Sequence, residues 1–261
     1  MKKLLIIPFT VLTTISFFLI SCGNTNTDAA MKAPLQNKAD NASQKSNKES
    51  GENEVKENEK DDKTSTEKSA SDVSTADAKI KTLENIQAAF KGETTASAKY
   101  AAYSKKAEHD GYHQIALLFK AASIAENIHA NNHKAVLQES GVATPTIKPE
   151  FSVKTTKENL QDAITGETYE ATTMYPEFLT VANTAGNQLA IISLNYAYKT
   201  EKKHKVMYEN ALVALQNNTV KSLPTVFYVC PTCGNTYETT APKRCGISMT
   251  SGEKFLTITS L

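Results

Sequence analysis

Two Glu-x-x-His pairs, Glu126/His129 and Glu201/His204, recur 75 residues apart in a chain of 261. Two further carboxylates, Glu93 and Glu167, each follow a glycine and recur 74 residues apart. A single Glu-x-x-His is common on the solvated face of a charged helix. Two of them, in step with two Gly-Glu sites, point instead to a pair of divalent metal ions. Four carboxylates balance two dications, and two imidazoles supply one nitrogen to each. Residues at i and i+3 share a helix face, so each pair offers both donors to the same side. A fifth carboxylate, Glu170, lies one turn after Glu167 and breaks the symmetry, because the repeat puts Ala96 in its place.

A second donor set lies near the C-terminus. Cys230-Pro231-Thr232-Cys233-Gly234 is a knuckle of the kind that holds iron or zinc between paired thiolates. Its partner is incomplete, since Cys245-Gly246-Ile247-Ser248 ends in serine where a second cysteine pair would end in cysteine. Oxygen is a harder and weaker ligand than thiolate. Three thiolates completed by Ser248 or water, a remote contribution from Met249, or an empty site open to a Cys230–Cys233 or other disulfide are all compatible with these residues. Any metal held there, iron or zinc, is expected to bind more weakly than in a four-thiolate site and to relay electrons poorly.

These donors need a frame, and a duplication supplies it. Glu84–Glu93 aligns with Glu158–Glu167 at an offset of 74, with six of ten positions identical. Each unit reads as a helical hairpin. Leu83, Ile86 and Phe90 have helical spacing over 80–108, as do Ile115, Leu118, Phe119 and Ala122 over 113–140. Asp110-Gly111 breaks the first hairpin, and Ala185-Gly186 breaks the second. The third helix is expected from an N-cap at Thr156 to about residue 183, kinked at Pro176, and the fourth over 188–216. Each donor set lies about 17 residues from its turn, or about 26 Å at roughly 1.5 Å per residue. All four sets therefore fall in one layer of an all-α four-helix bundle, with a small C-terminal metal ribbon appended.

The rest of the chain is organised around export. Lys2 and Lys3 precede an uncharged run, Leu4 to Ile20, that ends in Leu19-Ile20-Ser21-Cys22. This ending resembles a bacterial lipobox, in which Cys22 becomes the lipidated first residue. Residues 23–78 hold 12 Asp/Glu, 8 Lys and no aromatic residue, too little apolar surface to offset ordering. The expected organisation is a signal peptide over 1–21, a disordered tether over 22–78, the bundle over 79–217 and the ribbon over 225–261. The chain would then be anchored to a membrane and face the periplasm or the cell exterior. A formal net charge of +1 with no basic block speaks against nucleic acid as a partner. Four cysteines in 261 residues exclude a disulfide-dense scaffold.

The stretches Ala89-Phe90-Lys91-Gly92-Glu93, Glu126-Asn127-Ile128-His129-Ala130, Gly166-Glu167-Thr168-Tyr169-Glu170, Glu201-Lys202-Lys203-His204 and Met174-Tyr175-Pro176-Glu177-Phe178 resemble rubrerythrins of the ferritin-like superfamily. The cysteine segment is similar to the rubredoxin domain that follows the bundle in that family, and Phe255 fits the apolar residue after its second knuckle. The resemblance implies two non-haem irons held by Glu93, Glu126, His129, Glu167, Glu170, Glu201 and His204. It implies that Glu170 and His129 exchange as ligands when the irons change oxidation state. Tyr100 and Tyr175 then border the cluster and hydrogen-bond to its carboxylates. His109, His113 and His133 match no ligand position. The activity implied is reduction of hydrogen peroxide to water, with an electron donor the sequence does not identify, in a protein that is a homodimer in the family. Iron oxidation and storage without peroxidase turnover is the alternative, and a zinc-filled structural bundle is a third reading. Replacing Cys22 with Ala should release the chain from membranes or block its maturation, as fractionation would show; unchanged membrane retention would contradict the anchor.

Overall fold

A computed structural model of the chain describes residues 70–261. The expected signal peptide, Cys22 and most of the expected tether lie outside the described residues. Five α-helices come first: α1 (Ala70–His109), α2 (His113–Glu139), α3 (Thr156–Tyr169), α4 (Tyr175–Ala185) and α5 (Gln188–Gln216). Three short strands follow: β1 (Phe227–Val229), β2 (Thr236–Glu238) and β3 (Leu256–Ile258). A π-helical segment, Glu170–Met174, joins α3 to α4, so the two act as one long third helix. α1 packs along α2, α5 along both α3 and α4, and α1 meets α4 while α2 meets α5. This is the expected four-helix bundle. Among the described residues, no helix is long and apolar enough to cross a membrane.

The two hairpin turns sit where the glycines put them. Gly111 has φ 84° and Gly186 φ 67°, left-handed conformations that residues with a Cβ adopt at a cost. After the second turn, the Asn187 side chain accepts from the backbone N–H of Ala190 at 3.0 Å and starts α5.

Three local expectations are corrected. The tether does not reach residue 78, because α1 already begins at Ala70. Ala78 is buried, the Thr82 hydroxyl donates to its carbonyl at 2.7 Å, and Ser74, Asp77 and Ala78 share a groove with Val181 and Thr184 of α4. A helix already anchored in a bundle extends with little apolar surface of its own, and among residues 74–78 only Ala78 is buried. The N-cap of α3 is Thr155, not Thr156. Thr155 Oγ1 accepts from Glu158 N–H at 3.3 Å while the Glu158 carboxylate accepts from Thr155 N–H at 3.2 Å, a reciprocal capping box. Pro176, finally, breaks nothing at its own position. The π segment absorbs it: Tyr175 N–H bonds to the Glu170 carbonyl five residues back, and Pro176 falls in the first turn of α4, where no N–H is needed.

Two apolar clusters fill the bundle. One, with Tyr103, Ile115, Phe119, Leu160 and Tyr208, lies toward the Asp110-Gly111 turn. The other, with Ile86, Leu137, Tyr175, Ala182 and Leu194, occupies the opposite half. In sequence order along every helix, the Glu and His donors fall between them. The ribbon is a three-stranded antiparallel sheet of order β2-β1-β3, with Tyr228 opposite Tyr237 on one side and Thr257 on the other. Phe227, Val229 and Ile258 join the first apolar cluster, so the sheet is built onto the bundle rather than beside it. Replacing Thr155 with Ala removes the capping box and should cost about 1 kcal/mol in a denaturant titration; an unchanged midpoint would show that the cap contributes nothing.

Candidate metal centre

Glu93 comes from α1, Glu126 and His129 from α2, Glu167 from α3, and Glu201 and His204 from α5; all six are buried. Their donor atoms converge in two overlapping groups, Glu93/Glu126/His129/Glu201 and Glu126/Glu167/Glu201/His204. Glu126 and Glu201 belong to both. His129 Nδ1 lies 2.8 Å from Glu126 Oε2 and 2.9 Å from Glu201 Oε1. His204 Nδ1 lies 3.0 Å from the other oxygen of each, Glu126 Oε1 and Glu201 Oε2. Glu93 Oε2 is 4.0 Å from His129 Nδ1, and Glu167 Oε1 is 3.9 Å from His204 Nδ1. The duplication in the sequence has become a pseudo-symmetric cage, with two shared carboxylates at its centre and one terminal carboxylate and one imidazole on each side.

The cage fits two cations. Glu93 Oε2, Glu126 Oε1, Glu167 Oε2, both Glu201 oxygens and His204 Nδ1 are buried without a hydrogen-bond partner. Each such atom costs about 1–3 kcal/mol if left bare. The 3.0 Å spacings around His204 Nδ1 bring two carboxylate oxygens and an imidazole nitrogen close enough that one ion could be held by all three. Four carboxylates also cancel the charge of two dications, which removes the penalty of burying either alone.

Electrostatics without cations shows the strain that they relieve. Burial, reinforced by Glu126, Glu170 and Glu201, pushes Glu93 well above the usual carboxylate range, and burial with Glu201 and Glu126 does the same to Glu167. Burial would lower His129, but Glu201 and Glu126 outweigh it and hold the imidazole well above its usual value. His204 is likewise held up at about 9: burial lowers it, and Glu126 and Glu201 raise it further.

A ring of partners fixes these ligands. The Tyr100 hydroxyl donates to Glu167 Oε1 at 2.7 Å, and the Tyr175 hydroxyl donates to Glu93, as expected of both tyrosines. The ribbon supplies the rest. His129 Nε2 donates to the Cys233 carbonyl at 3.0 Å, and His204 Nε2 donates to Thr236 Oγ1 at 2.9 Å. These bonds place the Nε2 proton on both rings and leave Nδ1 for the cage. Close approach requires Gly234: a Cβ there would lie 2.4 Å from His129 Nε2.

Glu170 stands apart from this convergence. It is partly buried in the π segment, outside both donor groups, yet near enough for its charge to raise Glu93, Glu167 and Tyr175. Cys230, Cys233 and Cys245 do converge, as buried free cysteines with sulfurs within 4.8 Å of one another. Met249 is 61% exposed and is no ligand to them. His109 and His113 are solvated, the latter paired with Glu108 at 2.8 Å.

Two neighbours of the site carry no motif. His133 is fully buried, with Nδ1 2.8 Å from Ser193 Oγ and Nε2 3.2 Å from the Tyr175 hydroxyl. Burial and the nearby His129 lower it to about 3, so it is neutral and links Ser193 through Tyr175 to Glu93. Tyr208 is fully buried with its ring 5.4 Å from Tyr100, and its hydroxyl has no partner. Each lies four residues after a cage histidine, on the same helix face; that spacing already marks His133 in the sequence as a neighbour of His129, and it would have found Tyr208 as well.

The rubrerythrin family profile matches residues 84–212. The chain is 35% identical over 185 residues to nigerythrin of Nitratidesulfovibrio vulgaris, covering 69% of this chain and 89% of that one. It is 33% identical over 178 residues to rubrerythrin-2 of Clostridium acetobutylicum, covering 67% of this chain and 95% of that one. Among solved structures, fully reduced, all-ferrous nigerythrin superposes with a TM-score of 0.61 at 34% identity, over 67% of this chain and 86% of that one.

Metal ligands must be deprotonated, whereas burial and mutual repulsion in the bare cage favour the protonated forms of Glu93 and Glu167, and the cage carboxylates favour the protonated forms of both imidazoles. Loading with ferrous ion should therefore release protons, and affinity should rise with pH. Anaerobic titrations at about pH 6 and about pH 8 should show tighter binding at the higher pH; equal affinity with no proton release would contradict this cage.

Proposed function

The chain belongs to the rubrerythrin family of di-iron, oxidative-stress proteins, and from that premise we propose that it reduces hydrogen peroxide to water. The observation that carries this reading is the shared pair Glu126 and Glu201, each presenting one oxygen to either side of the cage. Reduction of one peroxide to two waters takes two electrons and two protons. Two ferrous ions, when bound, supply both electrons.

The chain's residues do the rest. Glu126 and Glu201 hold the two sides at a fixed separation, and Glu93 and Glu167 close the ends. Tyr100 and Tyr175 hold the terminal carboxylates in place, while burial excludes bulk water from the layer. Glu170 is the adjustable group: it lies one turn from Glu167, outside a cage that is complete without it, and its position supports an exchange with His129 as the site changes oxidation state. Neutral His133 orients Tyr175, and so Glu93, through hydrogen bonds at both ring nitrogens.

Export on a lipid at Cys22, with the bundle outside the cytoplasm, remains part of the proposal on the strength of the Leu19-Ile20-Ser21-Cys22 segment. Association as a homodimer is proposed from the family alone.

Anaerobic iron counting followed by a peroxide titration tests the function. The expected result is two irons in the bundle and one peroxide consumed per ferrous pair. Glu170→Ala should keep both irons and lose about 10- to 100-fold in turnover. Oxidation of iron without peroxide consumption would favour storage, and a bundle isolated with zinc would favour a structural role.

A further inference from the structure

The ribbon lacks a fourth sulfur, and the geometry shows which group stands in its place. Cys233 Sγ and Cys245 Sγ are 3.4 Å apart, and Ser248 Oγ is 3.2 Å from Cys230 Sγ. The three sulfurs all lie within 4.8 Å of one another, and the hydroxyl reaches this group at Cys230. Three converging sulfurs with one hydroxyl beside them match a tetrahedral donor set in number and kind. A tetrahedron with arms of about 2.3 Å has edges of about 3.8 Å. The Cys233–Cys245 and Cys230–Ser248 edges are about half an ångström shorter than that.

We propose that Ser248 Oγ is the fourth ligand of a metal ion held by Cys230, Cys233 and Cys245, giving a site of three thiolates and one serine oxygen.

The loop that carries Ser248 is built to hold it there. Cys245 N–H donates to the Thr250 carbonyl at 2.8 Å and Met249 N–H donates to the Cys245 carbonyl at 3.0 Å, closing the turn on itself. Met249 takes a left-handed φ of 62°, which turns its own side chain outward to solvent. Thr250 Oγ1 lies 2.8 Å from Ser248 Oγ and donates to Thr232 Oγ1 at 2.8 Å, tying the serine to the first knuckle. The sulfur of Cys245 also receives Ile247 N–H at 3.5 Å and the Tyr237 hydroxyl and Asn235 amide at 3.6 Å each. Donors gathered on one sulfur favour thiolate, the form that binds metal. An oxygen ligand is harder than the sulfur it replaces and favours the ferric over the ferrous ion.

Cobalt(II) added to the reduced full-length protein reads the site directly. Cobalt in the bundle's carboxylate and imidazole cage gives no sulfur-to-metal band, so that band reports the ribbon alone. The wild type should show tetrahedral cobalt with a three-thiolate band. Ser248→Cys should raise the band to about four-thirds of that intensity, tighten binding and, with iron, move the reduction potential upward. Ser248→Ala should weaken the cobalt binding reported by the sulfur-to-metal band by at least about ten-fold and shift that band. Unchanged affinity and spectrum in Ser248→Ala would overturn the assignment. So would a Ser248→Cys protein whose band does not grow, or a wild type that shows no sulfur-to-cobalt band once its thiols are reduced.

Discussion

Four carboxylates and two imidazoles share one buried layer, and the rest of the molecule is arranged around that costly placement. Each group alone would be too expensive to bury, and like charges a few ångströms apart make the cost worse. Two cations reverse the sign of the problem. The same crowding that raises Glu93 and Glu167 above the usual carboxylate range would become a matched ligand field. The apolar clusters on either side serve this layer by excluding water and fixing the helices that carry it. The duplication is the economical way to build it, because one hairpin with its donors at a set depth, used twice, yields two half-sites that meet.

The ribbon is tied to the same constraint. Its backbone and Thr236 occupy the outer nitrogens of both cage histidines. Asn132 donates to the Thr232 carbonyl, and Lys203 to Asn235, at 3.0 and 2.7 Å on either side of that contact. A change in the ribbon knuckle is therefore felt by the imidazoles directly. From Cys233 the path runs through its own backbone to the carbonyl and across one hydrogen bond to His129. The ribbon is at once a second donor set and the outer support of the first.

Much of this is legible in the sequence because helical geometry converts spacing into position. The 74- and 75-residue offsets and the distance of each donor from its turn place Glu93, Glu126, Glu167 and Glu201 at one depth without reference to anything outside the chain. The limits have physical causes as well. Periodicity does not report a π turn, so Pro176 reads as a kink when one extra residue between Glu170 and Tyr175 has already absorbed it. His133 and Tyr208 look like ordinary core residues, since nothing local reveals that Ser193 or Tyr100 comes from another helix to meet them. The docking of Gly234 against His129 is a tertiary contact between segments 105 residues apart in number, and no local pattern encodes it. Low apolar content reads as disorder up to residue 78, whereas α1 runs back to Ala70 with Ala78 buried.

Glu126 and Glu201, each with one oxygen toward either imidazole, would hold two irons in one shared cage rather than in separate sites. Ferric ions held in one cage would couple magnetically through the ligands they share, whereas isolated ones would not. Mössbauer spectra of the oxidised, iron-loaded protein in an applied field measure this most directly. A diamagnetic ground state for the bundle irons, lost together with iron in Glu201→Ala, is the predicted result. Two independent high-spin ferric signals in the wild type would contradict the shared cage.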